Sequence, residues 1–141
     1  MQKFNYNLDY ENIFFQPNDY RYRIGEKEQG VFLVRPYSDD IGKLWKFSTE
    51  RIAEESSEKI YELYLSYKEI QDFVGMDMCR KYLSLGYTNS KYSSFKTRSD
   101  LICEDEFYME CYNRHGMFED ALVMREEMLV TRDKLAKDIW T

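Results

Sequence analysis

The hydrophobic pattern of this chain changes its period near residue 48, and that change constrains the fold more than any other feature. In residues 20–24, apolar and polar side chains alternate, which is the period of a half-buried strand. From residue 49 onward, apolar residues recur at steps of three and four, which is the period of an amphipathic helix. The sequence therefore predicts an α+β fold, in which a small antiparallel sheet in the N-terminal third packs against about four helices.

The predicted sheet is built from three short runs. Residues 20–24 and 31–34 flank a polar connector that begins and ends with glycine, a pattern typical of a β-hairpin. Residues 44–47 are the third strand candidate. Residues 1–20 carry aromatic rings between Asn and Asp residues, and because Asn and Asp favour turns we expect an irregular arm held by its rings.

Four helices are predicted after the sheet. The first covers about residues 49–70 and is capped by Ser48 or Thr49, whose hydroxyl can accept a hydrogen bond from the first turn. The second covers about residues 74–85 and ends at Gly86, which suits a left-handed C-terminal cap. Its face toward the core is predicted to hold Met76, Cys79, Tyr82 and Leu83.

The remaining third of the chain is predicted to be a loop and two more helices. Residues 87–99 are rich in turn formers and locally basic, which predicts a loop. Helices of about residues 101–112 and 117–139 follow, separated by a stop at residues 113–116, and Trp140 is expected to dock on the body or contact a partner. At 141 residues the chain fits one domain, with an arm and sheet at 1–48 and a helical part at 49–141.

Composition and charge exclude several classes of function. The net charge of −6 disfavours long-range attraction to nucleic acid or to an anionic membrane. No run of about 18 apolar residues is present to span a bilayer, and the first residues lack the apolar core of a signal peptide. Three cysteines without CxxC spacing, Cys79, Cys103 and Cys111, are best explained as reduced thiols. We therefore expect a cytoplasmic protein that does not enter membranes.

The motifs for catalysis, cofactors and metals are incomplete. Gly25 and Gly30 have the glycine spacing of a phosphate-binding loop but are not followed by Lys-Ser/Thr, so we interpret them as a hairpin connector. A lone histidine, His115, cannot build a His-rich metal site, and pairing it with Cys111 or Cys103 as a nucleophile would depend on folding alone. No catalytic residue, cofactor or metal is predicted, and an enzyme with scattered carboxylates is the minor alternative.

A group of cations interleaved with aromatic rings is the remaining candidate site. Such a pattern suits phosphate contacts together with base stacking, but an ordinary exposed loop on an acidic protein is the favoured interpretation. A shorter basic-aromatic run at residues 21–23 would extend the patch if folding brought the two together. The candidate contact residues for a polyanion or a partner are Arg21, Arg23, Arg80, Lys81, Lys91, Tyr92, Phe95, Lys96 and Arg98.

The middle of the chain also carries a family resemblance. Residues 73–83 read Phe-Val-Gly-Met-Asp-Met-Cys-Arg-Lys-Tyr-Leu, and with segments at 4–10, 22–31, 52–61 and 86–88 they resemble an uncharacterised family, domain of unknown function family 4385. The resemblance covers about the first two-thirds of the chain. It implies a short bacterial or tailed-phage protein and carries no established activity. Where the family has an arginine-rich, glycine-containing segment, residues 88–98 have fewer cations and no glycine, which weakens a polyanion-binding role.

Two functions follow as hypotheses. The first is a non-catalytic, phage-type accessory protein that binds a host or phage protein through its aromatic surface and its acidic helices. The chain has 13 Tyr, 9 Phe and 2 Trp, and such rings are enriched at interfaces. It would act in the cytoplasm, which is the host's if the protein is phage-encoded. The alternative is a nucleic-acid-binding module that uses the patch around residues 80–98.

Overall fold

A computed structural model describes residues 4–116 together with residues 131, 132 and 134. A 3-10 helix covers Tyr10–Asn12, and α-helices cover Tyr37–Gly42 (α1), Glu50–Glu69 (α2), Phe73–Asn89 (α3) and Ser94–Glu104 (α4). Residues 106–116 are also helical and are called α5 below. None of the helices in this part of the chain combines the length and apolar character needed to cross a membrane.

The predicted antiparallel sheet does not form, because residues 4–116 contain helices, turns and irregular segments but no strand. The α+β prediction is therefore wrong for the described residues, which are all helical in class. The alternation that suggested strands is real: Tyr22 and Ile24 are buried, whereas Arg21 and Arg23, which alternate with them, are partly exposed. The buried side faces a helix rather than completing a sheet, so alternation marks an extended segment lying on α3.

Turns take the backbone hydrogen bonds that a sheet would have used. In the predicted hairpin, the Gln29 amide donates to the Glu26 carbonyl at 3.1 Å and the Leu33 amide to the Gly30 carbonyl at 3.0 Å. In the third predicted strand, the Trp45 amide donates to the Gly42 carbonyl at 3.1 Å. Buried backbone groups need partners, and here they find them three residues back along the chain.

The first predicted helix is confirmed. The Thr49 hydroxyl accepts a hydrogen bond from the Ile52 amide at 3.1 Å, and α2 runs from Glu50 to Glu69. Ala53, Ile60 and Tyr64 on one side are fully buried, as the three-and-four spacing requires.

Helix α3 lies at the centre of the molecule and packs against α1, α2 and α4. Every residue from Phe73 to Cys79 is buried, and so are Tyr82 and Leu83, which confirms the predicted inward face. Its N-cap is Asp72, a buried carboxylate that accepts hydrogen bonds from the Gly75 amide at 3.3 Å and from the Tyr37 hydroxyl at 2.6 Å. The helix is thus held at its start by a contact with α1.

Gly86 does not end α3, which continues to Asn89. The glycine is a packing site instead: a Cβ atom built there would lie 2.4 Å from the Phe95 ring. The predicted loop at 87–99 is therefore also wrong at both ends, since α3 extends into it and α4 begins at Ser94. Gly86, which the sequence analysis interpreted as a helix end, instead allows α3 and α4 to approach closely.

The predicted helix at 101–112 is divided at Asp105, where α4 ends and α5 follows. The Asp105 carboxylate accepts from the Phe107 amide at 2.9 Å, from the Tyr64 hydroxyl at 2.8 Å and from the Lys68 ammonium at 2.8 Å. It therefore starts α5 and ties it to α2. The stop predicted at residues 113–116 is absent, since these residues are helical. Apart from residues 131, 132 and 134, which are helical, the helix predicted at 117–139 lies outside the described residues, as does Trp140.

The contact between Gly86 and Phe95 yields a test of this helix packing. Gly86→Ala should lower the free energy of unfolding by about 1–3 kcal/mol, because the added methyl overpacks a buried ring, despite the better helix propensity of Ala, about 1 kcal/mol. Chemical denaturation measures the change. Gly86→Ala combined with Phe95→Leu should recover part of the loss, and a Gly86→Ala protein as stable as wild type would contradict the packing described here.

Candidate functional site

A cluster of charged and phenolic groups occupies the interior beside α3. Asp77 and Lys81 stand one helical turn apart and have no solvent-exposed side-chain surface, and the Arg80 side chain is only 14% exposed. Residues 77, 81 and 84 follow at steps of four and three and so share one face of the helix. That face meets the irregular segment at residues 20–36, where Ser84 donates to the Glu28 carboxylate at 2.8 Å.

The Asp77 carboxylate is the centre of this cluster. Its Oδ1 accepts hydrogen bonds from the Arg80 Nε at 2.8 Å and from the Tyr108 hydroxyl at 2.5 Å. Its Oδ2 accepts one from the Tyr22 hydroxyl and lies 3.8 Å from the Lys81 Nζ. Burial alone would raise the pKa of Asp77, but the charges of Arg80 and Lys81, with the hydrogen bonds, outweigh it and lower the pKa to about 2. The carboxylate is therefore ionised at neutral pH.

The two phenols that donate to Asp77 stay protonated. Burial raises the pKa of Tyr22 and of Tyr108 well above the ordinary value, and the negative charge of Asp77 raises both further. A protonated phenol is the state that can donate to a carboxylate. Because Tyr22 belongs to the 20–36 segment and Tyr108 to α5, one carboxylate joins three separate parts of the chain.

Lys81 is satisfied mainly by a carbonyl and by aromatic rings. Its Nζ donates to the Gln29 carbonyl at 2.7 Å and lies 4.8 Å from the centre of the Tyr22 ring and 5.5 Å from that of Phe4. Ring faces attract cations, but they replace only part of the lost hydration. Burial therefore lowers the pKa of Lys81 to about 8, against the opposing attraction of Asp77.

These contacts define what the Asp77 cluster, meaning Asp77, Arg80, Lys81, Tyr22 and Tyr108, can do. Arg80 adds a hydrogen bond to the Lys27 carbonyl at 3.2 Å, so both cations of the cluster hold backbone carbonyls of the 20–36 segment. Asp77 and Lys81 have no surface open to solvent, so no substrate atom reaches them in this conformation. The cluster fastens the irregular segment and α5 to the central helix.

The predicted patch around residues 80–98 is divided by the fold. Arg80 and Lys81 belong to the Asp77 cluster, and Phe95 is fully buried under Gly86, so these three do not form an open contact surface. The other cations are at the surface, with Lys96 in an ion pair to Asp100 at 3.7 Å and Arg98 stacked on the Tyr61 ring at 5.6 Å. Lys91 lies 5.5 Å from the centre of the partly buried Tyr92 ring.

The shorter run at 21–23 is engaged in local contacts. Arg21 donates to the Asp19 carboxylate through Nε at 3.0 Å and Nη2 at 2.8 Å and lies over the Phe15 ring. Arg23 donates to the carbonyls of Tyr20 at 2.7 Å and Tyr22 at 3.2 Å. The link between this segment and the 80–98 group is made inside the protein, by Arg80 and Lys81.

The sequence analysis did not single out Asp77, the carboxylate that pairs with Arg80 and Lys81. The signal was present, since Asp77 precedes Arg80 by three and Lys81 by four residues, the spacing at which helical side chains pair. Nothing in the sequence pointed to Tyr22 or Tyr108 as the other partners, because they lie 55 residues before Asp77 and 31 after it.

A cavity of about 440 Å³ lies beside the start of α3. Cys111 and His115, four residues apart on α5, both line it, and the Phe73 ring is 4.9 Å from the imidazole. The Arg114 Nη2 donates to the Cys111 Sγ at 3.1 Å. Cys111 and His115, whose pairing the sequence could not establish, therefore line the same cavity. Among the described side chains, no three His, Cys, Asp or Glu groups come together to hold a metal ion.

Comparison with known families identifies the chain. The family model described as a domain of unknown function (DUF4385) matches residues 5–117, so the chain belongs to that family. The match confirms the resemblance read from the central motif and extends past residue 100, through α4 and α5. No curated protein and no solved structure is similar enough to this chain to count as a match.

The Asp77 cluster predicts a large effect of a small substitution. Asp77→Asn should lower the free energy of unfolding by about 3–5 kcal/mol, because it leaves buried cations without their counter-charge. Asp100→Asn is the matched control: it removes a carboxylate from an exposed pair with Lys96, and should cost about 0–1 kcal/mol. Urea denaturation of both variants measures the difference. Equal effects of the two substitutions would show that Asp77 does not hold the cluster together.

Lys81 also predicts a pH dependence of stability. Its pKa is about 8 in the folded protein and 10.5 when unperturbed, so between these values the unfolded chain binds more protons and stability rises with pH. We expect the free energy of unfolding of wild type to increase relative to that of Lys81→Met between pH 8 and pH 9.5. The thiols and tyrosines are the same in both proteins, so their titration cancels. A constant difference across this range would contradict a buried, titrating Lys81.

Proposed function

We propose that this protein is a non-catalytic accessory protein that binds a protein partner through a groove on its N-terminal segment, where Phe32 and Leu33 are exposed. The observation that carries the proposal is a cavity of about 540 Å³ between the 3-10 helix and residues 32–35. Phe32 and Leu33 line it and are 61% and 38% exposed, and Phe14 nearby in the chain is 62% exposed. Exposed aromatic residues around a groove are typical of a protein interaction site.

The groove has walls that the fold holds in place. Arg35 donates to the carbonyls of Tyr10, at 3.4 Å, and of Glu11, which fixes the 3-10 helix against the second wall. The Phe15 amide donates to the Arg35 carbonyl at 2.7 Å. A pre-formed groove loses little conformational entropy on binding. The exposed Phe32 and Leu33 side chains at the groove favour a partner that inserts an apolar side chain.

The charge of the protein indicates the character of the partner. The chain carries −6 overall, and Glu54, Glu58, Glu62 and Glu69 are exposed on α2. Complementary charge speeds association and disfavours wrong partners. We infer a partner segment in which apolar side chains are accompanied by basic residues.

The compartment and source are part of the same proposal. Cys79, Cys103 and Cys111 are free thiols, which suits a reducing cytoplasm. The family resemblance favours a phage-encoded protein acting in the cytoplasm of its host. The nucleic-acid alternative has less support than it had from the sequence, because Arg80, Lys81 and Phe95 are occupied inside the protein.

The groove is tested by a pull-down with matched variants. Phe32→Ser with Leu33→Ser should weaken binding of the recovered protein at least tenfold, because truncation of a buried apolar anchor commonly costs more than about 1 kcal/mol. Leu65→Ser, which removes an exposed leucine from α2, should leave binding unchanged. Thermal unfolding of each variant confirms that it is folded.

Two outcomes would contradict the proposal. The first is a partner that both variants bind as wild type does, or that both lose to the same extent. The second is a recovered complex that disappears on nuclease treatment, which would favour the nucleic-acid alternative.

A further inference from the structure

The segment after α1 crosses the first half of α2 and leaves a small cavity between them. The Ser56 hydroxyl, buried on α2, donates to the Leu44 carbonyl at 2.6 Å and accepts from the Lys46 amide at 3.0 Å. Trp45 packs edge-on against Tyr82 and Phe47, with ring centres 5.8 Å and 5.0 Å away. Both walls of the cavity are therefore fixed by contacts to the core.

Three lysines surround this cavity of about 290 Å³. Lys43 and Lys46 come from the crossing segment and Lys59 comes from α2, and all three are exposed at its rim. None of the three ammonium groups forms an ion pair or a hydrogen bond with another side chain of the described residues. By contrast, Arg21, Lys68, Arg80, Lys81 and Lys96 each have a carboxylate partner.

One carboxylate also borders the cavity. Glu55 lines it, but its Oε1 accepts a hydrogen bond from the Arg51 Nε at 3.2 Å. Its charge is therefore shared with a cation on its own helix. The four charged side chains that line the cavity, Lys43, Lys46, Lys59 and Glu55, have a positive net formal charge, on a protein whose overall charge is −6.

We propose that this cavity is a binding site for a compact anion that carries phosphate groups. Like charges gathered at one place repel each other, and a multivalent anion between them would turn that repulsion into attraction. Lysine binds phosphate as a point charge on a flexible side chain. Lys43 and Lys46 on one wall and Lys59 on the other can therefore contact the same ligand. A volume of 290 Å³ lies at the lower end of small-molecule sites, which favours a phosphorylated small molecule or an inorganic polyphosphate over an extended polymer.

Ser56 and the apolar residues give the site a floor. Leu44 and Ile52 line the cavity beside the Ser56 hydroxyl, whose hydrogen bonds to the crossing segment are already made. The floor therefore positions the three lysines and does not itself bind the anion. Recognition rests on charge, which predicts weaker binding as salt concentration rises.

Isothermal titration calorimetry with inorganic triphosphate tests the site. Lys46→Gln combined with Lys59→Gln should weaken binding at least tenfold, and Glu55→Gln should tighten it several-fold, because it removes a negative charge from the cavity lining. Lys27→Gln is the matched control: it removes an exposed lysine that does not line the cavity and should leave the affinity unchanged. All four positions are exposed, so thermal unfolding should show the same stability within about 1 kcal/mol.

The proposal predicts a specific order of affinities, and the alternatives would overturn it. The affinity for triphosphate should be highest in Glu55→Gln, intermediate and equal in wild type and Lys27→Gln, and lowest in the double lysine variant. Loss of affinity in Lys27→Gln as large as in the double variant would show that only net charge matters. Failure of wild type to bind triphosphate, or tighter binding of a single-stranded oligonucleotide than of triphosphate through the same lysines, would also reject a compact-anion site.

Discussion

The structure depends on one buried carboxylate, Asp77 of the central helix. Residues 20–36 form turns and irregular backbone but no helix or strand. Apolar contacts are not directional, so on their own they would not fix the position of this segment on α3. Tyr22 from that segment, Tyr108 from α5 and Arg80 from the helix itself all donate to this single side chain. Directional hydrogen bonds to a buried charge are costly to break, so they give the irregular segment one position.

Tyrosine supplies much of the core beside the aliphatic residues. The buried phenols of Tyr22, Tyr37, Tyr64 and Tyr108 donate to Asp77, Asp72 or Asp105, and that of Tyr82 donates to the Ser38 carbonyl. Each ring fills volume while its hydroxyl joins one element to another. Six of the 13 tyrosines are buried in this way or close to it, and the exposed rings that remain for partner binding include Tyr6, Tyr20, Phe14 and Phe32.

The fold also divides the cationic side chains into two groups, one bonded inside the protein and one exposed at its surface. Arg80 and Lys81, which the sequence marked for contact with a polyanion, hold carbonyls and a carboxylate inside the protein. Lys43, Lys46 and Lys59 do not form a cluster in the sequence, yet all three line one cavity. The groove and this lysine cavity are lined by different residues, and the Phe32 ring of the groove contacts Trp45, which stands between Lys43 and Lys46, with ring centres 6.1 Å apart.

The sequence by itself determined the helix at α2, the inward face of α3 and the membership in the family, because periodicity and a contiguous motif are local properties. It also showed the alternation at residues 20–24, but only the tertiary structure decided that the partner of this segment is a helix and not a strand. The same holds for Gly86, whose missing Cβ serves the Phe95 ring across two helices, and for Asp77, whose phenol partners are far away in the chain. Local spacing reports which side of a segment is buried; what buries it depends on residues brought together by folding.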